Sequence, residues 1–509
     1  MTLKQKIGQR FAFGFSGAAP NGEFRRLVRE YQIGNVILFR ENLKSATQAR
    51  ALCGELQDLI RAETGQPAFI ALDQEGGAVT RLPADMVNAP GAMALAAPGD
   101  PEKAAAAARI SAAELGRIGV NLNLAPVLDI NSNWNNPVIG NRSFAQDSQG
   151  AVPFIKAVVG AYEDAGLLCC GKHFPGHGDT AVDSHLDLPL VDKGLGELEA
   201  GELLPFQAAI GADIPAIMTS HILFPRLEEE KLPATLSRKI LQGLLREKMG
   251  FKGLILSDGM EMKAVKDYYG VPQASVLALA AGVDILFICH ESTDMEESLR
   301  KVSAAYEDGR LDTAALDASA ERILRYKERY AFFGMGGRDE TLEALTVRRE
   351  ENAALMRCTL APWKAGAMPP PLGDRPFFTG SLPYLSTIAS SKPDESLSFA
   401  RWFAAEFGGS FLETPVNPDA GDIARTLAAL PPASSITLGT YNGHLNRGQI
   451  ALAQTLGEEA KHRGIPFAVL ALRNPWDLAL LPENAWGLAL WEYSPESFRA
   501  AAAVFRGEY

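Results

Sequence analysis

Leu167-Leu168-Cys169-Cys170-Gly171-Lys172-His173-Phe174-Pro175-Gly176-His177-Gly178-Asp179-Thr180-Ala181-Val182-Asp183-Ser184-His185 joins an apolar run to a loop dense in ionisable groups. Three of the chain's seven histidines fall within its last fourteen residues. The apolar part reads as a buried strand, which the Pro175-Gly176 pair then breaks. A strand that delivers Lys172 and His173 into such a loop is poor core material and a good way to hold polar groups in a cleft.

The same pattern recurs along the chain. Phe69-Ile70-Ala71-Leu72 ends on Asp73, Ala125-Pro126-Val127-Leu128 on Asp129, Ile217-Met218-Thr219-Ser220 on His221, and Leu254-Ile255-Leu256-Ser257 on Asp258. One titratable residue at a strand's C-terminal end means little. Five in succession describe a polar rim at one end of a barrel, where barrel enzymes build their active sites. Strands are expected at 11–15, 35–39, 68–73, 120–129, 167–173, 216–221, 253–258 and 284–290. Helices are expected at 45–64, 101–119, 153–166, 237–250 and 312–330, several opened by the capping residues Ser45, Asp100, Ser237 and Asp312. Eight strand–helix units predict a (β/α)8 TIM-type barrel, with an open doubly wound sheet as the alternative that periodicity alone does not separate.

Past residue 330 the pattern changes. A charged run closes on Arg348-Arg349-Glu350-Glu351, and Pro369-Pro370-Pro371 punctuates the chain. We expect a catalytic barrel over 1–345, a linker over 346–373 and a smaller α/β sandwich-like domain over 374–509. Strands are expected there at 376–379, 435–440, 467–472 and 487–491. Two of them run into polar loops, Gly439-Thr440-Tyr441-Asn442 and Leu472-Arg473-Asn474-Pro475-Trp476-Asp477.

A net charge of −12 disfavours a polyanionic partner, because nucleic acid needs basic surface. No segment offers the ~18 uninterrupted apolar residues of a membrane span. The N-terminal residues lack the apolar core of a signal peptide. Five cysteines, mostly in apolar runs, suit reduced thiols, so a cytoplasmic setting is expected. Gly334-Met335-Gly336-Gly337 lacks a preceding strand and the last glycine of a dinucleotide fingerprint. We expect no cofactor and no metal. His173 and His177 are four apart, but Pro175 and Gly176 prevent the helix that would align them, and Lys172 adds positive charge. General acid/base work suits the loop better. Asp183 and His185, two apart in extended chain, leave on one side, and a carboxylate on one imidazole nitrogen raises the basicity of the other. Asp258 reads either as a helix cap or as a nucleophile.

These residues resemble glycoside hydrolase family 3, in its β-N-acetylhexosaminidase branch. The resemblance rests on Asp73-Gln74-Glu75-Gly76-Gly77 with Arg81, Gly140-Asn141-Arg142-Ser143-Phe144, the Lys172–His185 stretch and Leu256-Ser257-Asp258. It implies an exo-acting, retaining β-N-acetylglucosaminidase that works through a covalent glycosyl-enzyme. Asp258 matches the nucleophile, and His185 the general acid/base, oriented by Asp183. Asp73, Arg81, Arg142, Lys172 and His173 match positions that hold the terminal N-acetylglucosamine (GlcNAc). By the same analogy the substrate is a cell-wall (peptidoglycan) fragment, and the protein is a monomer or homodimer. A phosphorylase on the same site and a catalytically silent sugar-binding protein are the alternatives. Ala78 stands where the family has arginine, and is expected to loosen the loop bearing Arg81. The C-terminal domain looks like a shortened second domain, and no catalytic residue is assigned to it.

Overall fold

The computed structural model describes residues 1–180, 188–334, 341–363, 367–385, 391, 394 and 396–508. Its first sheet closes on itself. The eight strands are β1 (Phe11–Phe13), β2 (Asn35–Leu38), β3 (Phe69–Leu72), β4 (Leu122–Asn123), β5 (Leu168–Phe174), β6 (Ala216–Thr219), β7 (Leu254–Gly259) and β8 (Ile285–Ile288). All run parallel, and β8 pairs back onto β1 with Phe11 opposite Leu286. That closure decides for the barrel over the open sheet.

Alternation explains the barrel's two layers. Ala12, Ile37, Phe69, Ala71, Leu122, Leu168, Cys170, Ala216, Met218, Leu254, Leu256, Ile285 and Phe287 pack together as the interior cluster. Their neighbours Phe13, Val36, Ile70, Cys169, Ile217, Ile255 and Leu286 belong to the outer cluster, against the helix shell. Both faces are apolar, so these strands read as continuous apolar runs. The shell helices Ala46–Thr64, Pro101–Ile118, Ser148–Ala165 and Thr313–Tyr330 open on Ser45, Asp100, Asp147 and Asp312, whose side chains each accept a backbone N–H of the first turn.

The expected strand at 120–129 is the main departure. Only Leu122–Asn123 pairs regularly, with a single further bridge from Val127 to Lys172. Pro126 has no N–H to give the ladder. The Asn123 side chain substitutes for strand pairing, accepting from Gln74 N (3.1 Å) and donating to Gln74 O (3.0 Å).

Beyond the barrel, helix Leu342–Thr359 crosses the expected boundary at 345 and occupies much of the segment expected as a linker. It is tied to the barrel by Arg348, 2.5 Å from the buried Glu114. The second sheet is built from β9 (Ala361–Pro362), β10 (Pro376–Ser381), β11 (Ser410–Thr414), β12 (Ser435–Thr440), β13 (Phe467–Ala471) and β14 (Ala485–Ala489), in the order β11-β10-β12-β13-β14-β9. Only β9 runs antiparallel to its neighbour. Phe378, Leu470 and Leu488 pack on one face against helices Phe399–Phe407 and Pro495–Arg506. Ile436, Leu438 and Val469 pack on the other against Arg447–Arg463. The loops after β13 and β14 face the barrel: Asn474 Oδ1 accepts from Asn141 N (3.1 Å), and Asn141 Nδ2 donates to Trp491 O (2.6 Å).

Candidate active site

The C-terminal mouth of the barrel opens into a cavity of about 760 Å³, lined by Phe39, Asp73, Glu75, Arg81, Arg142, Lys172, His173, His177, Asp258, Glu261, Cys289 and His290 among others. That size suits a small organic ligand. Strand register selects these side chains. Continue the interior set two residues further along its strands, and Phe69/Ala71 gives Asp73, Cys170 gives Lys172, and Leu254/Leu256 gives Asp258. A shift of register in β5 between Gly171 and Phe174 lets His173 line the cavity beside Lys172.

The floor is a charged lattice. Arg142 grips Glu75 with two donors, Nε to Oε2 (2.8 Å) and Nη2 to Oε1 (2.7 Å). Lys172 Nζ lies 2.7 Å from Glu75 Oε1 and 2.8 Å from Asp73 Oδ1. Arg81 Nη2 is 3.9 Å from Asp73 Oδ2. Lys172 and Glu75 are only 3% and 7% exposed, so these charges persist because they are paired. Burial pushes the Glu75 carboxyl up, and the adjacent Arg142 guanidinium and Lys172 ammonium overcome it and hold it well below the usual carboxylate range. Burial likewise works against the Lys172 charge, but Asp73 and Glu75 raise its pKa above the ordinary lysine value.

Asp129, expected on the rim, lies beneath it. One oxygen accepts from the His173 backbone N–H (3.1 Å) and lies 2.7 Å from His173 Nδ1, while the other accepts from His177 N (2.7 Å). Burial opposes the Asp129 charge, and the two histidines lower its pKa nonetheless. Burial, reinforced by His173, drives His177 down to about 4, so its ring is neutral near pH 7. Past Phe174 the chain lies against the loop that follows β4. Gly178 is required there, since a Cβ would sit 1.5 Å from the Ile130 carbonyl. Asn136 Nδ2 donates to His177 O (2.9 Å) and Thr180 O (3.1 Å). Asp183 and His185 lie outside the described residues.

Asp258 stands at the end of β7, its Oδ1 accepting from Gly259 N (2.8 Å). His221, the other expected rim residue, is buried behind it. Its Nε2 donates to the Gly259 carbonyl (3.0 Å), and its Nδ1 is 2.9 Å from the Thr235 hydroxyl. Glu261 was not expected. Its carboxylate accepts the backbone N–H groups of Cys289 (2.6 Å), His290 (2.9 Å) and Glu291 (2.6 Å), joining the loop after β7 to the loop after β8. His290 in turn packs on Phe39, ring centroids 4.6 Å apart. The structure therefore brings Asp73, Arg81, Arg142, Lys172, His173 and Asp258 to one cavity. It adds Glu75, two residues beyond Asp73 and so on the same side of extended chain, and Glu261, three beyond Asp258.

The "Glycosyl hydrolase family 3 N terminal domain" profile matches residues 2–326. Among curated proteins, beta-hexosaminidase A of Pseudoalteromonas piscicida is 34% identical over 365 residues, 64% of this chain and 61% of that protein. The match thus spans less than two thirds of that relative's length. The beta-hexosaminidase of Alkalilimnicola ehrlichii is 36% identical over 298 residues, 56% of this chain and 82% of that protein. Among solved structures, a glycoside hydrolase family 3 beta-N-acetylglucosaminidase from Paenibacillus sp. str. FPU-7 superposes with a TM-score of 0.91 at 34% identity, covering 100% of this chain and 97% of that one.

Proposed function

This chain belongs to glycosyl hydrolase family 3, and we propose that within it the protein is an exo-acting β-N-acetylglucosaminidase that removes terminal non-reducing β-GlcNAc with retention of configuration. The observation that carries this reading is the pairing, in one cavity, of Asp258 with a sugar-sized lattice of Asp73, Arg81, Arg142 and Lys172. Forked guanidinium donors and carboxylate acceptors suit the adjacent hydroxyls and amide of a hexosamine. The Paenibacillus neighbour, similar over the whole chain, supports the choice of GlcNAc.

In this mechanism Asp258 attacks the anomeric carbon, forming an acylal ester as the glycosidic C–O bond breaks. His185, oriented by Asp183, gives its proton to the departing oxygen. The same histidine then takes a proton from water as water displaces Asp258, which returns GlcNAc with its original configuration. The lattice supplies charges fixed in advance by their mutual pairing, which need not reorganise as charge develops on the sugar. Cell-wall fragments are the proposed source of the glycoside. We assign the activity to the cytoplasm, supported by the buried thiols of Cys53, Cys169, Cys170 and Cys289.

Asp258→Ala is expected to lower turnover of an aryl β-GlcNAc glycoside by a factor on the order of 10⁴ or more. Near wild-type activity would remove the proposed nucleophile. Product analysis with and without inorganic phosphate should yield GlcNAc in both cases; GlcNAc-1-phosphate would make the enzyme a phosphorylase instead.

A further inference from the structure

We infer that the C-terminal α/β unit completes the sugar site, through Ser391 acting as a positioning residue for Arg81. This rests on the reading that Arg81 contacts the sugar. Among the described residues, two side chains from beyond the barrel line the cavity, Leu385 and Ser391. The second meets the loop that carries Arg81.

That loop leaves β3 through Gly76 and Gly77, at φ of 92° and 53°, and closes on itself through Val79. Its barrel side is held by Gln74, whose Oε1 accepts from the Thr80 hydroxyl (2.8 Å) and from Arg81 N (3.3 Å). The backbone groups of Thr80 turn the other way, to Ser391. Ser391 Oγ accepts from Thr80 N (2.8 Å) and from Arg81 Nη1 (3.4 Å), and its O–H donates to the Thr80 carbonyl. Ser391 N donates to the Ala78 carbonyl (3.0 Å). A hydroxyl has one proton and two lone pairs, and here all three are used on the Thr80–Arg81 pair. The Ala78 carbonyl, which any residue at that position would offer, is a further point at which the C-terminal unit holds the loop.

The consequence is specific to one side chain. Ser391 fixes the backbone from which Arg81 extends and touches the guanidinium itself, so it limits where those donors point relative to Asp73. Preorganisation of that kind strengthens ground-state and transition-state binding alike, and its loss appears in KM.

A double-mutant cycle on the full-length chain tests the inference. With an aryl β-GlcNAc substrate, Ser391→Ala is expected to raise KM about 10-fold with kcat within about twofold, the effect of one or two hydrogen bonds. Ser391→Thr, which keeps the hydroxyl, should recover most of the loss. In an Arg81→Ala background, Ser391→Ala should change kcat/KM by less than about twofold, because the residue it serves is gone. Equal losses in both backgrounds would mark Ser391 as merely structural and overturn the inference, as would an unchanged KM in the single variant. The same four proteins are titrated with GlcNAc by calorimetry. Wild-type protein that binds GlcNAc without turning over the glycoside defeats the proposed reaction, yet the cycle is still read in Kd. Wild-type protein that does neither defeats both.

Discussion

The two ends of this barrel bury charges in different ways. At the N-terminal end, Asp284 is enclosed by Arg246 (2.8 Å), Arg322 (2.7 Å) and the Ser319 hydroxyl (2.7 Å). At the same end Lys327 Nζ donates to Gln9 Oε1 (2.6 Å) and the Gly34 carbonyl (2.8 Å), and burial pulls its pKa far down. These groups are spent on partners within the protein. At the C-terminal end, Asp73, Glu75, Arg142 and Lys172 pair as tightly, yet they border a cavity of about 760 Å³. Charge burial therefore does not distinguish a site from a plug. What distinguishes them is whether the paired groups have a face left to offer.

Variants at the two ends should separate accordingly. The largest effect is expected at the mouth. Lys172→Met removes the ammonium shared by Asp73 and Glu75 and leaves two carboxylates held by the arginines alone. We expect kcat/KM on an aryl β-GlcNAc to fall about 100-fold, the cost of breaking one partner from a buried charge pair. Steady-state kinetics check this, and a loss below about threefold would break the contrast. At the other end, Asp284→Ala strips two arginines of their partner. It should reduce unfolding free energy by about 3 kcal/mol in denaturant titration, with kcat within about twofold. A matching loss of kcat would show that the bottom of the barrel is coupled to the chemistry.

A third test concerns pH. Glu492, in the C-terminal unit, approaches Gly77 of the loop that carries Arg81. Burial raises its pKa to about 7, although the Ser494 hydroxyl donates to one oxygen (2.7 Å). An acid whose folded-state pKa is raised stabilises the fold fully below its unfolded value of about 4.5, and that contribution is lost as pH rises through about 7. Glu492→Gln should flatten the pH dependence of thermal stability over this window and raise stability at pH 8 by up to about 3 kcal/mol. A Tm difference that does not grow with pH would contradict it.

Much of this was legible in the residues. The apolar runs and the polar residues closing them pointed to parallel strands covered on both faces and to the end that carries the cavity, while the closure of β8 onto β1, which separates a barrel from an open sheet, needed coordinates. Reading the polar rim as one set was too coarse. Asp73, Lys172 and Asp258 continue the inward register of their strands and line the cavity. His221 is out of register with Met218 and points behind it, to Gly259 O and Thr235. Counting by twos from the interior residues would have separated it. Asp129 follows a segment that Pro126 disrupts, so no register could be counted, and its role beneath His173 and His177 needed coordinates. Glu261 and Ser391 act through backbone N–H and carbonyl groups distant in sequence, for which no local pattern exists.

The central claim is that Asp258 forms the covalent bond. A 5-fluoro GlcNAc glycoside with a good leaving group should trap the glycosyl-enzyme, and peptide mass spectrometry should find one added hexosamine on the peptide containing Leu256-Ser257-Asp258, at Asp258. A label at Asp73 or another side chain, or slow turnover that inverts the anomeric centre without any label, would contradict the account.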